Sequence, residues 1–354
     1  MKKINSVKPT EAMLVDVAAK SMPGRVYNLA AGDPDLPVCS ALKKAYFSID
    51  IDGTHRYCSS VGLTELRTKL WKNPDEVIIA NGAKQLIYMS LAAVTKPGDR
   101  VVIIGPCWAS YMRICSLLGL EYELLTGTEE NRWIPDADKV RQAVDSRTAA
   151  VLFNSPNNPT GVVYSEEYTD SLLEICRAAD TWLIADEIYR YICSVPFKSL
   201  RGREGVIVID GFSKCLNLTG WRFGYAVACR DIISAMTGIQ SQMSGPPSTV
   251  IQNVINNAFE ELEYSSFEDY RERIDILSSI SKFNKAGPDG GFYFFLPIAE
   301  RWKSSRELCD YMLKTYAIAI TPGDDYGIER TVRISVASES ADALREIIEP
   351  LKEI

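Results

Sequence analysis

The sequence predicts an α/β protein: a large domain with a mostly parallel sheet, joined to a smaller α+β domain. Three observations carry this expectation. Between about Glu76 and Cys229, short β-rich runs alternate with longer amphipathic stretches, the pattern of strands joined by crossover helices. Most of those runs are continuously apolar, as strands covered on both faces are. After Ile233 the texture changes to long helical patterns and then to a β-rich end. The length of 354 residues fits two domains, since a single core stops growing near roughly 250–300 residues.

In chain order, the strand candidates of the first part are residues 77–80, 101–104, 149–153, 182–185, 206–209 and 223–228. Helical stretches between them cover residues 84–94, 110–118 and 166–179. The second part offers helices at 233–242, 248–261, 267–281 and 341–352, with strands at 291–296, 317–321 and 332–336. The segment before about Ser40 has no strong period and is expected to pack against the second part. The expected division is a large domain at 40–260 and a discontinuous small domain at 1–39 and 261–354.

Composition excludes several functions. Lys and Arg number 39 against 46 Asp and Glu, a net charge of −7, whereas nucleic-acid binding normally needs a basic excess. No apolar run approaches the roughly 18 residues that span a bilayer. The start, Met1-Lys2-Lys3-Ile4-Asn5, lacks the apolar stretch of a signal peptide. Nine cysteines without a CxxC pair read as free thiols in a reducing cytoplasm. His55 is the only histidine, which rules out multi-histidine zinc sites and zinc fingers of the usual spacing. A serine triad would have to run through it.

Ligands of open α/β sheets bind at the carboxyl ends of the strands, so the residues after each strand matter most. The first is followed by Asn81-Gly82-Ala83-Lys84, a small-residue turn opening a helix whose N–H groups can hold a phosphate. The second is followed by Gly105 to Tyr111, with Trp108 offering a flat face to an aromatic ligand. Next come the polar turn Asn154 to Gly161, then Asp186-Glu187-Ile188-Tyr189, then Asp210-Gly211-Phe212-Ser213-Lys214 with Arg222 eight residues on. Singly, each has an ordinary structural reading as a turn, a cap or a solvated charge. Together they supply what a phosphorylated heteroaromatic aldehyde needs: a lysine, an acid for the ring nitrogen and phosphate donors.

These motifs, with Ala31-Gly32-Asp33-Pro34-Asp35, Tyr57, Gly62-Leu63, Glu65-Leu66-Arg67 and Val332-Arg333-Ile334-Ser335, resemble the fold-type I, class-I aminotransferases. The resemblance runs from about Lys8 to the C-terminus. Gly82-Ala83-Lys84-Gln85 and Ser241-Gln242-Met243-Ser244 place it nearest the bacterial aspartate/prephenate aminotransferase branch.

The resemblance implies pyridoxal 5′-phosphate as cofactor. Lys214 would form its Schiff base and carry the proton, with Asp186 on the pyridine nitrogen and Asn158 and Tyr189 on the ring oxygen. Trp108 would stack on the ring, while Arg222, Ser213 and the Gly82 and Ala83 amides surround the phosphate. Tyr57 would reach the phosphate of a second subunit, making a homodimer part of the mechanism. Arg333 would clamp the substrate α-carboxylate as a bidentate fork, near Gly32, and Lys84 would read a distal carboxylate or add charge beside the phosphate. The departures are a short connection between Arg67 and Asn81, Gly211 where relatives carry a phosphate-binding serine, and Asp33 for the commoner glutamate, read as neutral.

The function implied is a cytoplasmic aminotransferase moving an amino group from an aspartate- or glutamate-type amino acid to a 2-oxo acid by a ping-pong cycle. Aromatic, alanine or specialised biosynthetic substrates, or a carbon–sulfur lyase reaction, use nearly the same residues. A non-catalytic sensor on this fold is opposed by the intact Lys214, Asp186 and Arg222.

Overall fold

A computed structural model describes residues 8–354 of the chain. The stretch Met1 to Asn5, read above for a signal peptide, lies outside the described residues. The central sheet has seven strands: β1 (Val77–Ala80), β2 (Arg100–Ile104), β3 (Glu121–Leu125), β4 (Thr148–Asn154), β5 (Trp182–Asp186), β6 (Val206–Gly211) and β7 (Gly224–Val227). Their order is β1-β7-β6-β5-β4-β2-β3. Strands β2 to β6 are parallel, while β7 runs antiparallel to both of its neighbours.

Both faces of this sheet are covered, which explains the continuous apolar runs. Along β1, Ile78 and Ala80 enter one core while Val77 and Ile79 enter another. The first core lies under helix Ala83–Val94 and helix Arg230–Met243. The second lies under helices Ser40–Phe47, Thr64–Leu70 and Thr249–Ala258. The short Arg67–Asn81 connection is spanned by the end of one of these helices and a single 3₁₀ turn, Pro74–Glu76.

Strand β3 is absent from the strands expected of the sequence. It is the sheet edge, its first three residues are exposed, and its Glu-Tyr-Glu start hides the apolar signal. A helix, Glu11–Ser21, also forms in the segment read as having no period. Its Met13, Leu14 and Val17 are exposed while only Val15 and Ala19 are buried, so no apolar stripe is legible. The last helix divides into Ala341–Glu346 and Ile348–Leu351 because Pro350 has no N–H to give to the preceding turn. The stretch 267–281 likewise ends at Ser278, and a new short helix starts at Ser281.

Beyond the large sheet, Thr321–Pro322, Thr331–Ser335 and Tyr293–Pro297 form an antiparallel three-stranded sheet. The short strand Tyr27–Asn28 pairs in parallel with Ile318–Ala319. Leu29 therefore shares a core with Phe292, Phe294, Leu308 and Ile334. Among the described residues, no helix is long and apolar enough to cross a membrane.

The ends of β1 and β6 meet the start of β7, where Gly224 lies opposite both Ala80 and Gly211. A Cβ on Gly224 would stand 2.8 Å from Ala83 N and 2.8 Å from the Gly82 carbonyl carbon. Gly211 is equally tight, since its Cβ would stand 2.8 Å from Phe223 O. A serine at that position would force the strands apart. Gly224→Ala should cost about 1–3 kcal/mol, the usual penalty of overpacking. A urea melt measures this, and an unchanged midpoint would mean that the Gly82 turn yields freely.

Candidate active site

The carboxyl ends of β4, β5 and β6 open into a cleft of about 430 Å³. Asp186, the last residue of β5, forms its floor and is 3% exposed. Burial pushes its carboxyl up to about 6, and hydrogen bonds from Tyr111 and the Ile188 N–H hold it from rising further. Tyr111 Oη donates at 2.7 Å and Ile188 N at 3.2 Å. At neutral pH the carboxylate is therefore charged, in a place where water does not neutralise it.

A chain of polar side chains leads away from this floor. Asn154 Nδ2 donates to the Asp186 carbonyl at 2.8 Å, and its Oδ1 accepts the Asn158 N–H at 2.7 Å. Asn158 Nδ2 reaches Tyr189 Oη at 3.4 Å, and Tyr189 Oη lies 3.0 Å from Tyr293 Oη. On the other side, Arg333 Nη1 donates to Asn158 Oδ1 at 3.0 Å, and Nη2 donates to the Ala30 carbonyl. The Arg333 guanidinium is buried against the rings of Tyr293 and Tyr326, 4.6 and 5.0 Å from their centroids. Its Nε is itself buried and has no hydrogen-bond partner among the described residues.

Lys214 sits in the turn after β6 and donates to the Gly32 carbonyl at 2.6 Å. Burial lowers its pKa to about 8, with Asp33 opposing the shift and Arg333 and Arg222 adding to it. Gly32 has to be glycine, since a Cβ would fall 2.0 Å from Tyr293 Oη. Asp33, read from sequence as a neutral replacement, accepts from Thr219 Oγ1 at 2.5 Å. It thereby ties the Gly32 turn to the turn that carries Arg222.

At the other end of the cleft a guanidinium stands beside the start of a helix. Gly82 takes φ +88°, and a Cβ there would lie 2.5 Å from Arg222 Nη2. The sequence reading gave Gly82 a free amide, which the structure corrects: its N–H bends back to the Ala80 carbonyl at 2.8 Å. The open donors are those of Ala83 and Lys84, the first two residues of the helix, which have no backbone partner among the described residues. Lys84 Nζ lies 4.8 Å from the centre of the Trp108 ring. Burial against the cleft wall, then Arg222 and Arg113, hold its pKa below the usual lysine range.

Eleven of the residues expected from sequence line this one cleft: Gly32, Ala83, Lys84, Trp108, Asn158, Asp186, Tyr189, Ser213, Lys214, Arg222 and Arg333. Gly82 stands behind it. Tyr57 is 92% exposed and outside it. Sequence reading missed Tyr111, Tyr293, Thr219, the helix cap Thr10 and the helix residues Met13 and Asp16, which also line it. Tyr111 stands three residues after Trp108 on the same turn, a spacing that points both at one site. Nothing local marks the others.

Lys214 should show its lowered pKa directly. The neutral amine is the nucleophile, so labelling by a small aldehyde, trapped by reduction, should rise through about pH 8 in the cofactor-free protein. A labelling midpoint near the ordinary lysine value would show that burial does not act on this group.

Comparison with known proteins agrees with this geometry. The family described as "Aminotransferase class I and II" matches residues 25–351. The aspartate aminotransferase of Bacillus subtilis is 30% identical, over 99% of this chain and 97% of that protein. The aspartate/prephenate aminotransferase of Thermus thermophilus is 29% identical, over 98% and 96%. A solved structure of the Thermus thermophilus aspartate aminotransferase with maleate superposes with a TM-score of 0.91 at 28% identity, covering 99% of both chains. The chain therefore belongs to the class I and II aminotransferase family, carries the fold of the fold-type I enzymes, and is an aminotransferase.

Proposed function

We propose that this aminotransferase works with pyridoxal 5′-phosphate on aspartate- or glutamate-type amino acids and a 2-oxo acid acceptor, by a ping-pong cycle. The observation that carries the substrate reading is the cation pair that lines one cleft: Lys84 beside Trp108, and the buried guanidinium of Arg333. Two cations suit a substrate with two carboxylates. The named relatives are aspartate aminotransferases, and one of the similar structures holds maleate, a dicarboxylate.

The residues present fit the cofactor. The free N–H groups of Ala83 and Lys84, the Ser213 hydroxyl and the Arg222 guanidinium would hold its phosphate, with the helix dipole assisting. Trp108 would cover one ring face. Asp186 would keep the ring nitrogen protonated, and Asn158 and Tyr189 would hold the ring oxygen. Bound there, the cofactor supplies an aldehyde that carries the amino group and a ring that accepts electrons from the substrate's α-carbon.

The chain's own groups do the rest. Lys214, close to half-neutral near pH 8, is poised to take a proton from the substrate α-carbon and to return it to the carbon on the other side of the amino nitrogen, two bonds away. Arg333, fixed by Asn158 and Ala30, aligns the α-carboxylate so that the breaking C–H bond faces Lys214. Lys84 selects substrates with a second carboxylate. With the division taken at 40–260 against 1–39 with 261–354, Arg333 and Lys214 come from different domains and line the same cleft.

The second subunit enters through Tyr57. Phe47, Ile51 and Tyr57 expose large apolar side chains, 86%, 71% and 92% exposed. Tyr46 next to them packs on Trp221, the neighbour of Arg222. We read this surface as the homodimer face, delivering Tyr57 to the partner's phosphate site. The free thiols of all nine cysteines suit a cytoplasmic enzyme.

Single-turnover absorbance changes with a panel of amino acids test the substrate reading. Lys84→Ala removes one charge-assisted hydrogen bond, about 1.5–3 kcal/mol, so kcat/KM for aspartate and glutamate should fall about tenfold to hundredfold. Alanine and phenylalanine should be little affected at saturating cofactor. An equal loss for both classes sinks the dicarboxylate reading. Tyr57→Phe should let cofactor dissociate faster without altering the fold. A fully active monomer in light scattering would remove Tyr57 from the site.

A further inference from the structure

Two sequence motifs play no part in the chemistry described so far. One is Gln85, at the end of Gly82-Ala83-Lys84-Gln85, and the other is the segment around Ser241-Gln242-Met243-Ser244. The fold brings them together. Gln85 Nε2 donates to Gln240 Oε1 at 3.0 Å and to Ser244 Oγ at 2.8 Å, while its Oε1 accepts the Asn81 N–H at 3.1 Å. Gln240, fully buried, donates from Nε2 to the Ile79 carbonyl at 2.9 Å and to the Ser60 carbonyl.

The polarity of this chain of amides is fixed from both ends. Two carbonyls at one end require the Gln240 amino group, which leaves its oxygen facing Gln85. Gln85 must then present its amino group to Gln240 and its oxygen to the Asn81 N–H. Turning Gln85 over would face like groups at two contacts, and turning Gln240 over would do so at three. Asn81 is thereby gripped from two sides, because its own carbonyl accepts from Arg222 Nη2 at 3.4 Å. Asn81 directly precedes Gly82, the turn that aims the open N–H groups of Ala83 and Lys84 into the cleft. The same amide chain ends on Ser60, three residues beyond Tyr57, in a loop further fastened by the Ile79 N–H to the Val61 carbonyl at 3.0 Å.

We infer that Gln85 and Gln240 are positioning residues for phosphate binding: their amide chain fixes the Asn81–Gly82 turn, and hence the Ala83 and Lys84 N–H groups, against the loop that follows Tyr57. This rests on the cofactor reading above. Neither glutamine lines the cleft, so the pair acts through the turn and leaves the ring end of the site alone. Phosphate affinity is the property it governs.

The test uses the full chain, stripped of cofactor, with Gln85→Met and Gln240→Met, unbranched replacements that keep the side-chain length. Binding of pyridoxal 5′-phosphate and of unphosphorylated pyridoxal is titrated by absorbance. Loss of the Asn81 anchor should weaken the phosphorylated compound about tenfold, the scale of one hydrogen bond, and leave pyridoxal unchanged. Amide exchange at residues 81–84 should quicken in the cofactor-free variants. Equal weakening of both compounds, or unchanged affinity for the phosphorylated one, overturns the inference. Gln85 is only part-buried, so its variant decides the matter alone if Gln240→Met does not fold. A wild-type chain that binds neither compound overturns the cofactor reading itself, and this inference with it.

Discussion

Asp210 holds the working end of the sheet together. It is fully buried near the end of β6, four residues before Lys214. Its carboxylate accepts from Arg190 Nε at 2.5 Å, Tyr225 Oη at 2.9 Å, its neighbour Gly211 N at 2.6 Å, and Arg201 Nη2. Arg190 and Arg201 bracket the excursion that leaves β5 with Tyr189 and returns over β6. The two ion pairs therefore bind the loop of Tyr189 to the strand of Lys214 and to the antiparallel β7. Removing one partner from such a buried cluster typically costs about 3–5 kcal/mol, since the remaining charge cannot be hydrated. Glu187 closes the same excursion, accepting from Ser199 Oγ at 2.5 Å and Leu200 N at 2.8 Å, and burial pushes its carboxyl up to about 7.

That rigid edge lets the cleft hold unlike charges without collapsing them into pairs. Asp186 is served by a phenol and a backbone amide, Lys214 by a carbonyl, and Arg333 by an amide oxygen and a carbonyl. Among the described residues, none of these three forms a direct ion pair. Each charge keeps its field for a ligand, which a low-dielectric wall strengthens. Burial shifts Asp186 upward and Lys214 downward, yet at pH 7 the acid stays charged and the lysine lies within about a unit of losing its proton. With Lys84 and Arg222 also lining the cleft, four cations stand against Asp186 and Asp16, a balance that favours anionic ligands.

The sequence by itself determined the strands that lie inside the sheet and the residues directly after them. Burial on both faces demands continuous apolar runs, and the chain must turn where they stop. Trp108, Asp186, Lys214 and Arg222 were legible because a strand end delivers each to one edge. The exposed edge strand β3 and the helix Glu11–Ser21 were not, since their apolar residues follow neither period. Only the tertiary structure decided which groups meet across long separations: Tyr111 on Asp186, Tyr293 against Gly32, Gln240 on Gln85. It also decided that Gly82 gives its N–H to Ala80, leaving the next two donors open. A hydrogen bond is set by distance and angle after packing, and no pattern in a single chain records where two residues 75 or 155 positions apart will stop.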